Sequence, residues 1–266
     1  MKELLLMMLF IPLLAATQGI TNQTDQGGLK QGKWMRTYPN GKIMYEGNFI
    51  NDKPVGEWRR YHESGTIKAV MKYHSGSDTV DAVLHDTDGK PIAEGKFVAE
   101  RKTGLWKQYS TGKIISEEEF VNGMKHGKSR IFYPTGELLE EMDWKEGKRN
   151  GSYRAFYLSG KPFLECRYED DQRNGFCVTY FPSGIMEVDA LYRNDLPEGE
   201  WKYFSEKGEL RYVLKYSEGF LLNPEVLLEV ETRNLLELEK TGRKISDPEK
   251  FMENPSEYLM RLQHQP

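Results

Sequence analysis

Two cysteines, Cys166 and Cys177, are the residues of this sequence whose type could do covalent chemistry. They lie at equal distances from a turn centred between Asp171 and Gln172, so they can face each other on adjacent strands. A disulfide between Cys166 and Cys177 is therefore possible in an oxidising compartment. Two free thiols at buried apolar positions would explain the same residues, so the sequence leaves both states open.

The histidines and acidic residues assemble no recognisable catalytic or metal-binding motif. The five histidines show no metal-ligand spacing, and no Gly-x-Ser-x-Gly motif or phosphate-cradling loop is present. Residues 86–89, Asp-Thr-Asp-Gly, begin like a calcium loop but lack the later glutamate, which favours a tight turn. The sequence thus predicts no catalytic residue, no metal site and no cofactor, and a protein that is not an enzyme.

A carboxylate recurs five positions after a set of regularly spaced glycines. Its members are Glu46, Glu94, Glu117, Glu141, Glu165 and Asp189, with Val70 and Val213 at the two remaining positions. Successive members should lie two strands apart, about 10 Å, which is too far for one small cation to bridge. We expect these carboxylates to pair with lysines and arginines across an exposed sheet face. Recognition of a basic partner is the alternative.

Lysines and arginines recur between the predicted hairpins, where they could contact a partner. The possible partner-binding residues are Lys53, Lys102, Lys125, Lys148, Arg149 and Arg173. Along one edge of a sheet they would make a positive stripe for anionic lipid or glycan. Solubility of polar turns would also explain them.

The elements that position these side chains are repeats. A glycine, here called the turn glycine, recurs every 24 residues with one interval of 23, and an aromatic residue follows each one eight positions later. The turn glycines are Gly41, Gly65, Gly89, Gly112, Gly136, Gly160, Gly184 and Gly208, and the aromatic residues are Phe49, Tyr73, Phe97, Phe120, Trp144, Tyr168, Tyr192 and Tyr216. Turn-forming residues such as Pro39 and Asn40 precede several of these glycines, which predicts hairpin turns.

Each repeat has the pattern of an antiparallel hairpin. Residues at even distances from the turn glycine are apolar, as at Ile43, Tyr45 and Phe49, and those between them are mostly polar, which is typical of a strand with one buried face. A second glycine opens seven of the eight repeats, and Val80 replaces it in the third. The predicted fold class is all-β, with about eight tandem antiparallel hairpin repeats of 24 residues in an elongated twisted sheet and a short α-helical cap at the C terminus.

The tryptophans are predicted to supply the core of this sheet. The five are Trp34, Trp58, Trp106, Trp144 and Trp201. A thin sheet has few other large apolar residues to bury, and each aromatic ring removes about 150–250 Å² from water. A sugar-stacking platform is the alternative.

The two ends of the chain differ from the repeats. Residues 1–19 resemble a signal peptide, with Lys2, an apolar run at residues 4–14 and small residues after it. That run is shorter than the about 20 residues of a spanning helix, so no transmembrane span is predicted in the mature chain, although a retained anchor is the alternative. Residues 20–31 are assigned to an N-terminal linker. The expected location is outside the cytoplasm, periplasmic or extracellular.

The repeat domain is predicted at residues 32–220 and a helical C-terminal cap or tail at residues 221–266. Asn223 could cap a helix that begins at Pro224, and Ser246 begins a second capping pattern. The cap would cover the open edge of the last strand. A helix that binds a partner is the alternative.

The charge balance excludes an obvious nucleic-acid footprint. The chain has 37 lysines and arginines against 41 aspartates and glutamates, for a formal net charge of -4. Neither sign dominates, so no nucleic acid partner is expected.

Residues 56–73 have the pattern Gly-x-Trp-x-x-Tyr, followed by Gly-x-Ile and a final aromatic residue. This repeat and the other repeats of the chain resemble the MORN-repeat variant found in many bacterial proteins. The resemblance covers residues 32 to about 219. It implies a hairpin-repeat fold that binds proteins or lipid surfaces. Some members of that family carry the label of antitoxin in a toxin-antitoxin system.

The expected function is that of a noncatalytic interaction module or scaffold at the cell envelope, with an unidentified protein as its partner. Binding of anionic lipid or envelope glycan is a second hypothesis, and an antitoxin-like role is a third. Salt would distinguish the first two, because binding to anionic lipid weakens steeply with ionic strength.

Overall fold

The computed structural model describes residues 21–241, which fall into two compact units with their boundary between Asn150 and Gly151. The predicted signal peptide at residues 1–19 and the second helix start at Ser246 lie outside the described residues. Each compact unit is described by itself below.

The first compact unit is built from consecutive antiparallel strands. They are β1 (Gln23–Thr24), β2 (Lys30–Thr37), β3 (Ile43–Ile50), β4 (Lys53–Tyr61), β5 (Ile67–Tyr73), β6 (Thr79–His85), β7 (Pro91–Val98), β8 (Arg101–Ser110), β9 (Lys113–Val121), β10 (Met124–Phe132) and β11 (Leu138–Lys145). Every strand pairs with the next one in the sequence. The predicted meander of hairpins is thereby confirmed for this unit.

The second compact unit repeats this arrangement and adds a helix. Its elements are β12 (Lys148–Phe156, whose first residues precede the boundary), β13 (Pro162–Glu169), β14 (Gln172–Tyr180), β15 (Met186–Arg193), β16 (Leu196–Phe204), β17 (Leu210–Ser217), β18 (Phe220–Leu221) and α1 (Pro224–Thr241). Neighbouring strands again pair antiparallel. Tandem hairpin repeats with one C-terminal helix therefore match the predicted fold class.

Two kinds of turn alternate along the chain. Within a repeat, the turn glycine closes a four-residue turn, as where the Gly41 N–H donates to the Tyr38 carbonyl at 2.9 Å. Between repeats, two residues with positive φ form the turn, as at Asn51 (50°) and Asp52 (63°), which matches a type I′ hairpin. Most connections between hairpins are therefore two-residue turns, and cations such as Lys53 that were placed between the hairpins belong to strands.

A bulge follows most of the turns between repeats. Glu46 pairs with Arg59 and Asn48 with Val55, so three residues of β4 face the single residue Gly47 of β3. The opening glycine lies in this bulge with positive φ, a conformation that glycine adopts without steric cost.

The third repeat keeps its length without an opening glycine. β5 and β6 pair without a register shift, and Tyr73 faces Val80 directly. Six residues separate Tyr73 from Val80, whereas four separate Phe49 from Pro54 in the first repeat. The two extra residues that the bulge accommodates in other repeats lie in the turn of the third repeat. Position 80 is therefore in regular strand pairing, which valine tolerates.

The tryptophans pack over small residues of the preceding strand. Trp106 is 1% exposed, and a Cβ built on Gly95 would overlap its indole ring. The Trp106 Nε1–H donates to the Lys96 carbonyl at 3.0 Å, so the buried indole has its hydrogen bond. Trp58 and Gly47 repeat the arrangement. The prediction that tryptophans form the core is confirmed for these two, and Trp201 is partly exposed.

Asparagine side chains pair with edge strands in each compact unit. In the first, Asn22 Oδ1 accepts the Met35 N–H at 2.8 Å, and Asn22 Nδ2 donates to the Met35 carbonyl at 2.9 Å. In the second, Asn223 Oδ1 accepts the Lys215 N–H at 2.7 Å, and Asn223 Nδ2 donates to the Val213 carbonyl at 2.9 Å. Each amide thus completes the hydrogen bonds of a strand that would otherwise offer them to another chain.

We expect the substitution Asn223→Ala to promote self-association, because it leaves the Val213 carbonyl and the Lys215 N–H of β17 without these bonds. The loss should lower the free energy of unfolding by about 1 kcal/mol. Sedimentation over a range of protein concentrations measures the association. Thr232→Ala on the exposed side of α1 is the control, and equal association of both variants would contradict the role of Asn223.

Helix α1 begins at Pro224, as predicted, and contacts β17. The side chain of Asn223 hydrogen-bonds to the backbone of β17, and the backbone carbonyl of Asn223 accepts the Val226 N–H at 3.2 Å. Leu228 of the same helix is exposed. Within residues 21–241, no helix combines the length and apolar character that a membrane span requires.

Candidate interaction surface

The repeats present two different surfaces. The aromatic face carries the rings eight positions after the turn glycines together with the tryptophans, and the carboxylate face carries the acidic side chains five positions after them. The strand registers place Cys177 opposite Ala190 on the aromatic face and Phe176 opposite Leu191 on the carboxylate face. Period-two alternation thus separates the two surfaces as the sequence predicts.

Tyrosine hydroxyls bind the carboxylates in three repeats. The Tyr61 Oη–H donates to Glu46 at 2.8 Å, and Lys33 Nζ lies 3.3 Å from the same carboxylate. The Tyr61 hydrogen bond, helped by Lys33, lowers the pKa of Glu46. The same bond joins Tyr109 to Glu94 at 2.7 Å and Tyr180 to Glu165 at 3.0 Å. Sequence reasoning missed these tyrosines, although each stands 15 residues after its carboxylate.

Elsewhere on this face the carboxylates bind basic side chains, as expected. Glu141 is buried and accepts from Arg130 Nε at 2.8 Å and from Lys128 Nζ at 3.2 Å. Arg130 also lies 3.6 Å from Glu117, so it joins two members of the column. The hydrogen bond to Glu141 raises the pKa of Arg130. This network occupies the carboxylates and argues against their use for a basic partner.

We expect the protein to lose stability in alkali between pH 10 and pH 12. Burial, followed by the bond to a glutamate, raises the pKa of Tyr109 and of Tyr180 from 10.0 to about 12. A raised folded-state pKa gives stability that is complete below the unfolded value and declines until pH passes the folded value. Urea unfolding at several pH values measures the decline. Tyr109→Phe with Tyr180→Phe should flatten it, and an unchanged slope in that variant would contradict the assignment.

Several of the predicted partner-binding cations lie over rings of the aromatic face. Lys102 Nζ is 4.5 Å from the centre of the Trp106 ring and 4.9 Å from that of Phe120. Lys125 Nζ is 4.6 Å from the Trp144 ring and 2.6 Å from the Glu118 carboxylate. These contacts are cation–π and ionic interactions within the protein.

Arg173 follows the same pattern. Its guanidinium lies 4.0 Å from the Tyr192 ring, and its Nε donates to Asp195 at 2.8 Å. Lys30, which sequence reasoning missed, lies over Trp34 and Phe49. The signal that could have found it is position, because Lys30, like Lys102 and Arg173, stands two residues before an opening glycine.

The remaining cations of the predicted set lie at strand starts. Lys53 and Lys148 are exposed, and Arg149 is partly buried. Lys102, Lys125 and Arg173 thus make contacts within the protein, and a positive stripe that binds a partner stays a prediction.

The two cysteines lie directly opposite each other on β13 and β14, and their sulfur atoms are joined in a disulfide. Both belong to a row that crosses the strands of the aromatic face. Tyr153 pairs with Cys166, Cys166 with Cys177, and Cys177 with Ala190. Three small side chains therefore stand side by side next to Tyr153.

A cleft of about 270 Å³ opens over this row. Its walls carry Leu164, Tyr168, Arg173, Thr179, Val188, Tyr192, Trp201 and Tyr203, and its floor carries Cys166, Cys177 and Ala190. Most of these side chains are apolar or aromatic, which is typical of sites that hold an apolar group with a few polar contacts.

The described residues offer little for metal chemistry. Within residues 21–241, no group of three or more histidine, cysteine, aspartate or glutamate side chains could hold a metal ion. The calcium-like segment at 86–89 forms a turn in which Asp86 Oδ1 accepts the Lys90 N–H at 2.8 Å. The carboxylate of Asp86 is thus used to close its own turn.

Two family models match segments of the repeats. The family model described as MORN repeat variant matches residues 30–51, 54–74, 125–146 and 197–218, and the model described as MORN repeat matches residues 45–60 and 167–186. No curated protein matches the chain. Among solved structures, "Crystal structure of GtfA/B complex" is similar at 15% identity and a TM-score of 0.25, over 33% of this chain and 18% of that chain. This chain thus matches less than a fifth of that protein's length. The chain carries tandem repeats of the MORN family, including its variant form.

Proposed function

We propose that the protein is a noncatalytic interaction module at the cell envelope, which binds another protein through its aromatic face. The observation that carries the proposal is that this face remains partly open. Phe49 in the first compact unit and Tyr168, Tyr192 and Tyr216 in the second are each only partly buried, and the Arg173 guanidinium lies on the Tyr192 ring. Aromatic residues and arginine are enriched where proteins bind one another with high affinity.

The contacts of the cations favour a protein partner over an anionic lipid surface. Lys102 and Lys125 each lie within 5 Å of a ring centre, and Lys125 also pairs with Glu118. Each such contact is worth roughly 0.5–2 kcal/mol, and a lipid headgroup would have to replace it. Binding of lipid or glycan is therefore the second reading, and the antitoxin-like role stays a prediction.

Export from the cytoplasm is part of the proposal. The apolar run at residues 4–14 has the length of a signal peptide, and the bond between Cys166 and Cys177 fits an oxidising compartment. Cell fractionation followed by alkylation under non-reducing conditions tests this location. We expect the protein outside the cytoplasm with both thiols blocked, and recovery in the cytoplasm with alkylated thiols would overturn it.

A pull-down at low and at high salt tests the interaction itself. The tagged full chain is incubated with envelope extract, bound proteins are identified by mass spectrometry, and binding to anionic vesicles is measured in parallel. A protein retained in near-stoichiometric amount at high salt is expected, because contacts centred on rings are weakly screened. Recovery of only salt-labile vesicles or glycans would replace the proposal with the lipid or glycan reading.

A further inference from the structure

One row of the aromatic face differs between repeats in how it is filled. The residue six positions after the turn glycine faces a residue 11 positions later on the next strand. In the first and third repeats these pairs are Gly47 with Trp58 and Gly95 with Trp106, and the indole covers the glycine. In the sixth repeat both members are cysteines, so a compact disulfide takes the place of an indole ring.

The cleft over the disulfide has the surroundings of the indole sites. Tyr168, Tyr192 and Trp201 line it, just as Phe97 packs edge-on against Trp106 in the third repeat with ring centres 4.8 Å apart. The strand neighbour Ala190 is also small, and the residue 11 positions after it is Trp201, which forms one wall of the cleft. The cleft therefore lies where the first and third repeats place an indole ring over a glycine, and at this position the described part of the chain places the disulfide instead.

A cation lies beside this cleft, just as Lys102 lies over the ring at the filled Trp106 site. Of the described residues that line it, Arg173 is the one with a charge. Its guanidinium stacks at 4.0 Å on the Tyr192 ring and uses Nε to bind Asp195. An arginine has five N–H donors, so it can bind a second carboxylate beside the cleft.

We propose that the cleft over Cys166 and Cys177 binds an aromatic side chain of the partner protein, flanked by a carboxylate that pairs with Arg173. The proposal rests on the proposed function and names the partner's chemistry at one site. The ring would pack between Tyr168, Tyr192 and Trp201 above the disulfide, in the place that Trp106 takes in its own repeat. Edge-to-face contacts of this kind are the favoured arrangement of aromatic rings.

Short capped peptides test the proposal on the full chain. The probe is Asp-Trp-Asp, and the controls are Asp-Leu-Asp, which lacks the ring, and Lys-Trp-Lys, which reverses the charge. Fluorescence polarisation of labelled peptides measures the affinities. We expect each control to bind about tenfold more weakly than the probe, since one ring or one charge pair commonly changes affinity by that factor. Equal binding of Asp-Trp-Asp and Asp-Leu-Asp would overturn the proposal.

Three variants locate the binding. Cys166→Gly with Cys177→Trp fills the cleft with the pair found at Gly95 and Trp106, and should abolish binding of the probe. Cys166→Ala with Cys177→Ala removes the bond and leaves the cleft open, so it should bind the probe within about twofold of the original chain. Arg173→Gln should bind Asp-Trp-Asp and Lys-Trp-Lys alike. Circular dichroism and thermal unfolding check that each variant is folded.

The outcomes separate this site from the wider function. Unchanged probe binding in the folded, filled variant would overturn the cleft proposal. If the pulled-down partner still binds that variant but fails to bind Tyr192→Ser, the cleft proposal fails and the proposed function stands. If the original chain binds the probe and no protein is retained in the pull-down, the proposed function fails, and the cleft is left as a site for acidic peptides that carry an aromatic ring.

Discussion

Replacing Trp106 by alanine should lower the free energy of unfolding by about 3–5 kcal/mol. Trp106 is 1% exposed, it packs with Ala82 and Phe120, and its indole N–H is bonded to the Lys96 carbonyl. The substitution removes the largest buried side chain of this cluster and leaves a cavity between strands that cannot close. Urea unfolding followed by circular dichroism measures the loss.

Leu105→Ala is the matched control for this prediction. Leu105 is the neighbour of Trp106 in the chain, but it lies on the carboxylate face and is 44% exposed. Its loss should cost less than about 1 kcal/mol, because little buried surface changes. A similar loss of stability in both variants would contradict the assignment of Trp106 to the core.

Gly95→Ala tests the other half of the same contact. A Cβ at this position would overlap the indole of Trp106, which cannot move away because it is enclosed. We expect a loss of about 1–3 kcal/mol from overpacking. The same substitution in a Trp106→Ala background should cost much less, because the clash is gone. Additive losses would show that the two residues do not meet.

Removing the disulfide should produce the second large effect. The bond closes a loop of about 12 residues, for which chain entropy gives roughly 3 kcal/mol. Since a two-residue turn already holds β13 to β14, we expect a loss of about 1–3 kcal/mol in Cys166→Ala with Cys177→Ala. Unfolding of the original chain with and without reductant measures the same quantity.

The double alanine variant is also the control for that experiment, because its stability should not respond to reductant. If reductant also destabilised the variant, the loss of stability would not come from the bond between Cys166 and Cys177. Equal stability of the oxidised chain and the variant would show that the bond adds nothing to the fold.

Most of the fold could be predicted because its periodic signals have direct steric causes. A turn glycine such as Gly41 takes a positive φ that other residues rarely adopt, and the residues on either side alternate between two faces. These two constraints specify hairpins, and their recurrence specifies tandem repeats. Pro224 marked the helix start for a similar reason, because its fixed φ suits the first helical position.

The candidate site could be predicted only in part, because it depends on register. Lys102 and Arg173 were recognised as repeated cations, but were placed between the hairpins and not within their strands. The structure places each in a strand, opposite Phe97 and Tyr168, because the turn has two residues and the bulge follows it. The two-residue turns have a signal, because residues such as Asn122 and Gly123 tolerate positive φ, but it was not recognised. The role of the opening glycine in the bulge was not recognised either.

Side-chain hydrogen bonds were the least predictable feature. The Tyr61 bond to Glu46 and the Asn223 bonds to β17 join residues whose types are also common on exposed surfaces. Pairing across strands gives such bonds their spacing, so the 15 residues from Glu46 to Tyr61 can be interpreted as a contact only once the register is known.

The most direct test of the interaction function compares one variant on each face. The partner recovered in the pull-down is titrated against the full chain, against Tyr192→Ser on the aromatic face and against Phe176→Ser, which removes a 64% exposed ring from the carboxylate face. The aromatic face is predicted to bind, so Tyr192→Ser should weaken binding about tenfold or more, and Phe176→Ser should leave it unchanged. Weaker binding of Phe176→Ser together with unaltered binding of Tyr192→Ser would contradict the account.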